Sequence, residues 1–396
     1  MRCKAVLKSV LAALAAWVAL PALAAESGAK PPASAAYFMY VGTYTGPASK
    51  GVYGFRYEVG SGRFTPLGLM AEVSNPSWVT DDPKARNLYA ITELGDGPRA
   101  SSSTVESTVS AYSMDRSTGA LKLLGRLPTG GTVAAQVSVD HTGRMLFVNN
   151  YGSGSVSAFA LNPDGSIAQR VGFDQHAGSS VNPRRQTGPH PHAVVVSPDN
   201  RFLFVPDLGL DKIFSYRIDA AKQTFAPNDP AFVTVTPGLG PRHLAFAPNG
   251  KFAYAICEMG SSVVAFAYDA AKGALTPIQS ISTLPEGFNG MNTSAEIAID
   301  ASGHFLYASN RGDDSIAVFH VESNTGKLDK LSVTPAGVKG PRTFAIDPTG
   351  KLLLAAGQNS NDISIFAIDG QTGALTPTGQ VLKAPAPVSL LFVPAR

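Results

Sequence analysis

Apolar and polar residues alternate through most of the chain in a pattern of short strands that repeats about every 50 residues. Each copy has an apolar strand, a turn rich in Pro, Asp, Asn and Gly, a second apolar strand, a polar turn and a third strand. The copies span residues 74–115, 134–162, 191–219, 241–269, 294–322 and 341–369, and the first of them contains an insertion. The pattern predicts β-hairpins throughout, each extended by a third strand.

A fourth strand follows in most copies, because a Thr-Gly-x-Leu turn or a relative of it leads into a further strand. Such turns lie at residues 118–121, 273–275, 325–328 and 372–375. Four-stranded units at this spacing are typical of the blades of a β-propeller. A solenoid is the structural alternative, but it would need capping repeats at its ends.

The two ends of the repeat region are complementary half-repeats. Residues 37–67 lack the innermost strand of a blade, and residues 387–394 have the pattern of a lone innermost strand. Pairing the two completes a seventh blade and leaves no open sheet edge. The sequence therefore predicts an all-β fold over residues 37–396. It is a seven-bladed β-propeller of four-stranded antiparallel blades, closed by the C-terminal strand in the N-terminal blade.

The first 24 residues have the pattern of a secretory signal peptide. Basic residues precede an apolar run from Val10 to Leu20, and small residues form a cleavage site before Ala25. The apolar run is shorter than the roughly 20 residues that a membrane-spanning helix needs. We therefore expect cleavage, a flexible lead-in over residues 25–36, no membrane attachment afterwards, and a periplasmic or secreted protein.

The amino-acid composition and net charge limit the classes of molecule that the protein is expected to bind. Apolar residues make up 44% of the chain and charged residues 15%, and the 39 glycines and 29 prolines fit many short strands joined by tight turns. The net charge of +3 falls to zero without Arg2, Lys4 and Lys8 of the signal. With no basic run interleaved with aromatic residues, we expect no nucleic-acid partner. Cys257 would be the one remaining cysteine, so no intrachain disulfide can form.

Polar residues recur at the open end of the predicted hairpins. In each hairpin, we count from the first residue of the Pro/Asp-x-Gly turn. The residue six positions before it and the residue ten positions after it lie close together at the open end. Because the innermost strand lines the channel, both should face the same channel mouth in every blade. The first set is Ser77, Ala135, His192, Arg242, Ala295 and Arg342, and the second is Tyr44, Glu93, Tyr151, Leu208, Glu258, Arg311 and Gln358.

Stability alone does not account for the charged residues in these sets, because burying an unpaired charge costs free energy. Arginine suits oxyanions, since its planar fork donates two hydrogen bonds to a carboxylate or phosphate. Glu258 beside arginines would stay ionised and could act as a general base. The alternative is that Glu258, Arg242 and Arg311 form structural ion pairs that brace adjacent blades.

The remaining histidines and several absences limit the chemistry. His190 and His192 have a spacing that metal ligands can have, but no third ligand is evident, so we expect no metal and no cofactor. Strand alternation predicts that His243 faces away from Arg242, and His176 has the context of an ordinary surface or strand residue. The chain contains no GxSxG elbow, Walker loop or GxGxxG fingerprint.

Three segments, residues 240–262, 309–321 and 340–366, resemble the lactonase family, which contains bacterial 6-phosphogluconolactonases and fungal carboxymuconate lactonizing enzymes. The GPRH and AAGQNSNDISIF stretches carry most of this resemblance, which extends over residues 37–394. It implies a seven-bladed propeller and a functional cluster at His192, Arg242, Arg311 and Glu258. The chain departs from the family in one respect, because it has a predicted signal peptide, whereas members that hydrolyse 6-phosphogluconolactone work in the cytoplasm.

These observations lead to a lactone hydrolase that opens a sugar 1,5-lactone to the aldonic acid. The hypothesis gives catalysis to Glu258, His192, Arg242 and Arg311. It gives substrate binding to Arg342, Gln358, Glu93, Tyr151 and His190. We expect a small-molecule lactone or anionic sugar acid as the partner, and a monomer or weak dimer. The alternatives are a muconate-type lactonizing cycloisomerase and an exported binding module without catalysis.

Overall fold

The computed structural model describes residues 35–93 and 105–396. The predicted signal peptide, its cleavage site and residues 25–34 of the predicted lead-in lie outside the described residues. Within the described ranges every regular element is a β-strand, and no helix there is long and apolar enough to cross a membrane.

The strands form seven antiparallel sheets of four strands each. Blade 1 contains β1 (Ala36–Thr43), β2 (Gly51–Glu58), β3 (Arg63–Glu72) and the last strand of the chain, β28 (Pro387–Pro394). Blade 2 contains β4 (Val79–Asp81), β5 (Asn87–Ile91), β6 (Glu106–Met114) and β7 (Leu121–Thr132). Blade 3 contains β8 (Ala134–Val139), β9 (Met145–Asn150), β10 (Ser155–Leu161) and β11 (Ile167–Gln175).

The other four blades repeat this order without interruption. Blade 4 contains β12 (Val195–Val196), β13 (Phe202–Asp207), β14 (Lys212–Asp219) and β15 (Thr224–Thr234). Blade 5 contains β16 (Pro241–Phe246), β17 (Phe252–Cys257), β18 (Ser262–Asp269) and β19 (Ala274–Ser282). Blade 6 contains β20 (Thr293–Ile299), β21 (Phe305–Arg311), β22 (Ser315–Val321) and β23 (Leu328–Pro335). Blade 7 contains β24 (Pro341–Ile346), β25 (Leu352–Gly357), β26 (Asp362–Ile368) and β27 (Leu375–Lys383).

The ring closes through the C-terminal strand, which confirms the predicted seven-bladed propeller. β28 pairs antiparallel with β1, from Tyr37 opposite Pro394 to Thr43 opposite Pro387. β28 also contacts β4 on one side and β24 on the other, as the inner strands of neighbouring blades do around the ring. The edge of β1 is therefore paired, and blade 1 has four strands like the other blades.

The core is divided into seven apolar clusters, and each lies between two neighbouring blades. Between blades 5 and 6, for example, Tyr254 and Ile256 of β17 pack with Leu306 and Ala308 of β21. Strands that are apolar on both faces are needed because each blade is covered on both sides. This explains the nearly continuous apolar runs of the second and third strands.

Four of the inner strands, β8, β16, β20 and β24, have a β-bulge at the channel mouth. In β16, Pro241 and His243 pair with Cys257 and Ile256, so Arg242 is an extra residue without a partner of its own. The same irregularity lies at Ala135 of β8 and Arg342 of β24, and between Ser294 and Ile297 of β20. A bulge breaks the alternation of side chains, so two successive residues of a bulged strand can both face the channel.

Candidate active site

Glu258 lies at the centre of the polar side chains at the channel mouth. It follows β17, and its Oε2 atom accepts hydrogen bonds from Nε of Arg242 at 3.1 Å and from Nη2 of Arg311 at 2.9 Å. Arg242 comes from the bulge of the same hairpin, and Arg311 ends β21 in the next blade. The structure thus brings together three of the four side chains assigned to catalysis.

Glu258 and Arg242 are almost completely buried, and Arg242 retains only 1% exposure. Nη1 of Arg242 donates to the carbonyl oxygen of Ala295 at 2.6 Å and lies 3.1 Å from Nε2 of His243. Burial, with Arg342 and Arg311 nearby, lowers the pKa of Arg242 to about 9, which leaves its guanidinium charged at neutral pH. Such a cation, held by fixed acceptors, is preorganised to stabilise negative charge.

The Glu258 carboxyl stays ionised at neutral pH and down to a pH well below it. Burial alone would raise its pKa, but the positive charges of Arg311, Arg242 and Arg185 outweigh this and hold the pKa at about 2. The sequence-based expectation of an ionised Glu258 agrees with this direction. The same charges make the carboxylate a weak base as long as all three arginines contact it.

A third arginine, Arg185, was not among the predicted site residues. Its Nη2 donates to Oε1 of Glu258 at 2.7 Å and to the hydroxyl oxygen of Tyr151 at 3.3 Å. Arg185 belongs to the segment between β11 and Pro191, residues 176–190, which we call the mouth loop. This loop is longer than the corresponding connections between the other blades in the described ranges, so a position rule taken from the repeat could not find Arg185.

Tyr151 contacts Arg185 and both histidines of His190-Pro191-His192, which we call the HPH segment. The His190 ring stacks on Tyr151 with centroids 4.5 Å apart, and its Nδ1 donates to the Tyr151 carbonyl oxygen at 2.9 Å. The His192 ring meets Tyr151 edge-on at 5.4 Å. Tyr151, His190 and His192 therefore line one side of the mouth together.

His192 is buried and uncharged at neutral pH. Burial and the positive charge of Arg242 lower its pKa well below the usual value, with further contributions from His243 and Arg342. Its Nδ1 atom has no hydrogen-bond partner among the described residues. A neutral imidazole with a buried, unpartnered nitrogen can accept or donate a proton once a ligand is present.

A second carboxylate, Glu93, lies at the same mouth with a different set of partners. Its Oε2 accepts a hydrogen bond from the Tyr44 hydroxyl at 2.9 Å and lies 3.6 Å from Nη2 of Arg342. The Arg342 guanidinium also lies over the Tyr44 ring at 5.5 Å. Gln358 follows β25, on the same hairpin as Arg342, and its Oε1 is buried without a hydrogen-bond partner within residues 35–93 and 105–396.

The prediction that His243 faces away from Arg242 was wrong, because the bulge in β16 overrides strand alternation. His243 points into the channel, where its Nδ1 lies 2.9 Å from Oε1 of Glu296 and its ring meets Trp78 edge-on at 5.2 Å. Burial and Arg242 lower the pKa of His243 to about 4, so the neutral ring donates to Glu296 and accepts from Arg242. His243 and Glu296 therefore form a second layer of polar residues that holds the Arg242 guanidinium in place.

His176 is also not the ordinary surface or strand residue that its sequence context suggested. Its ring is buried, with Nδ1 2.6 Å from Oδ2 of Asp207 and Nε2 2.7 Å from the Tyr216 hydroxyl. The other oxygen of Asp207 accepts the backbone N–H of His190 at 2.7 Å. His176 thus fixes the aspartate that holds the HPH segment in place.

The residues at the mouth carry more positive than negative charge. The guanidinium groups of Arg185, Arg242, Arg311 and Arg342 face the carboxylates of Glu258 and Glu93, with Glu296 behind His243. Such an arrangement can bind an oxyanion or stabilise one as it forms. No group of three or more His, Cys, Asp or Glu side chains within the described ranges could hold a metal ion.

Comparison with known proteins matches residues 38–392 to the family model described as lactonase, 7-bladed beta-propeller. The chain is 32% identical over 308 residues to a 6-phosphogluconolactonase of Bacillus subtilis, a match that covers 78% of this chain and 84% of that protein. It is 33% identical over 310 residues to a 6-phosphogluconolactonase of Formosa agariphila, covering 77% and 85%. The solved structure of a periplasmic gluconolactonase from Pseudomonas aeruginosa has a TM-score of 0.84 at 36% identity, covering 90% of this chain and 99% of that one.

Proposed function

Because the chain belongs to the lactonase family of seven-bladed β-propellers, we propose that it hydrolyses an unphosphorylated sugar 1,5-lactone to the aldonic acid. The similarity to a periplasmic gluconolactonase supports a substrate without phosphate. The predicted signal peptide supports the same substrate, since it would carry the protein out of the compartment in which sugar phosphates are made.

One observation carries the proposal: a buried, ionised carboxylate shares hydrogen bonds with two buried guanidinium groups at the channel mouth. Lactone hydrolysis needs a group that takes a proton from water and a group that stabilises the tetrahedral oxyanion. Glu258 supplies the first, and Arg242 with Arg311 supplies the second. Both requirements are met within about one hydrogen-bond length of each other.

The proposed reaction starts when Glu258, assisted by neutral His192, takes a proton from a water molecule. The water oxygen forms a bond to the lactone carbonyl carbon, and the carbonyl electrons move onto the oxygen that Arg242 and Arg311 bind. The tetrahedral intermediate then collapses, the bond between that carbon and the ring oxygen breaks, and the proton passes to the ring oxygen. The product carries one new hydroxyl group and one new carboxylic acid, which ionises.

Substrate orientation falls to the other side chains at the mouth. Arg342 and Gln358 have donors and an acceptor that no described side chain fully uses, so we propose that they bind sugar hydroxyls. Glu93, Tyr151 and His190 complete the rim and limit the positions that the ring can take. This assignment predicts that changes at Arg342 affect KM more than kcat.

The test is the kinetics of Glu258→Gln with glucono-1,5-lactone, measured above the spontaneous hydrolysis of this lactone. Loss of a general base is expected to lower kcat by about 10²–10⁴-fold. Glu93→Gln is the matched control, because it removes a carboxylate from the same mouth, and its kcat should stay within about threefold of wild type. Unchanged turnover in Glu258→Gln, with an unchanged melting temperature, would remove Glu258 from the chemistry.

A further inference from the structure

The three arginines on Glu258 are not equivalent. Arg242 and Arg311 project from the inner hairpins of blades 5 and 6, and their side chains are only 2% and 14% exposed. Arg185 comes from the mouth loop, and its side chain is 39% exposed. It is therefore the most solvent-exposed of the three.

The backbone on which Arg185 sits is held in place. Gln186 is completely buried, and its Nε2 donates to the Leu208 carbonyl oxygen at 2.9 Å and to Oδ2 of Asp211 at 2.8 Å. The Asn182 side chain accepts the backbone N–H groups of Arg184 and Arg185 at 3.0 and 3.1 Å. These contacts fix the turn, so the long Arg185 side chain is the part that can move.

The two oxygens of Glu258 have separate partners. Oε2 is held by Arg242 and Arg311, whereas Arg185 is the partner of Oε1 among the described residues. A carboxylate oxygen can accept two hydrogen bonds, so Oε2 is fully used and Oε1 keeps one position beside Arg185. With Arg185 in place, the positive charge of its guanidinium makes Oε1 a weaker base.

We propose that Arg185 is a latch, a positioning residue that covers Oε1 of Glu258 in the empty site and leaves it when a substrate enters. This inference rests on the proposed function, because it takes Glu258 as the base. In the complex, Arg185 turns to the oxygen atoms of the sugar while the Tyr151 hydroxyl stays within its reach. The uncovered oxygen then accepts the proton from water.

The charges around Glu258 make this exchange measurable. The groups facing its carboxylate are Arg242, Arg311 and Arg185 by direct contact, with Arg342 nearby. Removing one adjacent cation raises the pKa of a carboxyl, because an opposite charge within about 4–6 Å lowers it by about 1–3 units. Departure of Arg185 therefore makes Glu258 more basic in the substrate complex than in the free protein.

The experiment compares the pH dependence of kcat/KM, which reports groups in the free enzyme, with that of kcat, which reports groups in the substrate complex. For the wild type with glucono-1,5-lactone, kcat should decline toward acid at a pH at least about one unit above the decline of kcat/KM. In Arg185→Ala the free enzyme already lacks the latch, so the acid limb of kcat/KM should move up to meet that of kcat. Arg184→Ala, whose side chain is exposed beside the latch, should keep the separation seen in the wild type.

Coinciding acid limbs in the wild type would show that Arg185 stays on Glu258 in the complex and would overturn the proposal. A loss of kcat in Arg185→Ala of more than about 100-fold, with the limbs still separated, would also overturn it, because losses of that size mark a group that stabilises the transition state. Failure of the proposed base has a different signature, an active Glu258→Gln. The two outcomes are therefore distinguishable, and the melting temperature of each variant reports its folding.

Discussion

The two carboxylates at the channel mouth differ in their environment although they occupy equivalent positions. Glu258 follows β17 and Glu93 follows β5, each just after the second strand of its blade. Glu258 is bound by three guanidinium groups, whereas Glu93 has the Tyr44 hydroxyl and one guanidinium at 3.6 Å. The repeat therefore determines the position of each carboxylate, whereas side chains from other parts of the ring determine its hydrogen bonds and its charge environment.

The difference divides the mouth into two halves. In the Glu258 half, donors and acceptors are already paired in a buried network, which preorganises charge for a reaction. In the Glu93 half, Arg342 makes a looser contact and keeps donors for a ligand. The predictions below test whether the first half acts in the transition state and the second in substrate binding.

The largest effect is expected from Arg242→Met, which removes the most buried cation while filling much of its volume. Loss of an oxyanion donor typically lowers kcat by about 10²–10³-fold, and the change in Glu258 geometry adds to this, so kcat/KM should fall about 10³-fold. Arg201→Met is the control, because Arg201 is an exposed arginine that pairs with Asp199 away from the mouth. Activity within tenfold of wild type in Arg242→Met would show that the Glu258 half is structural.

The second effect concerns stability as a function of pH. The folded pKa of Glu258 is about 2 and its ordinary value is 4.5, so the ionised carboxylate stabilises the fold relative to the protonated one. Because the folded pKa is depressed, this contribution is complete above pH 4.5 and is lost as the pH falls toward 2. The stability advantage of the wild type over Glu258→Gln should shrink steadily below about pH 5 in thermal unfolding. Parallel curves for the two proteins between pH 7 and pH 3 would contradict the predicted role of the arginines.

The smallest effect is expected from Arg342→Met in the Glu93 half. A lost contact to a sugar hydroxyl should raise KM about tenfold, which is about 1.4 kcal/mol, while kcat stays within about threefold. Tyr44→Phe is the matched control, because it removes the hydroxyl that Glu93 accepts and leaves the ring beneath Arg342. A fall in kcat larger than the rise in KM would place Arg342 among the transition-state contacts and erase the distinction between the two halves.

The fold could be predicted because every blade meets the same requirements. Both faces of a blade are covered, so its strands are apolar, and its outer hairpin needs a tight turn with glycine. Gly373 has a φ of +71°, and a Cβ there would lie 2.4 Å from the Phe305 ring of the preceding blade. The Thr-Gly-x-Leu motif therefore records both a turn and a contact between blades, and it recurs for that reason.

Hairpin geometry predicted which side chains reach the channel mouth, but it did not predict which of them pair with one another. The position rule selects Arg242, Glu258 and Arg311 from the repeat alone. Pairing of Glu258 with Arg242 and Arg311 was one of the two alternatives for these residues, and the structure contains it. Nothing in the sequence indicated distances between blades, so Arg342 as the partner of Glu93 had no signal. Irregular features caused the other differences, since the bulge redirects His243 and the mouth loop supplies Arg185 from outside the repeat.

Closure of blade 1 by β28 has a consequence for the order of events during synthesis. The first three strands of this blade, residues 36–72, are synthesised before blades 2 to 7, and their fourth strand, residues 387–394, is synthesised after them. An incomplete nascent chain can thus assemble blades 2 to 7 but holds an unpaired edge on β1 until residues 387–394 arrive. A chain cut before residue 387 would therefore lack the strand that closes the ring.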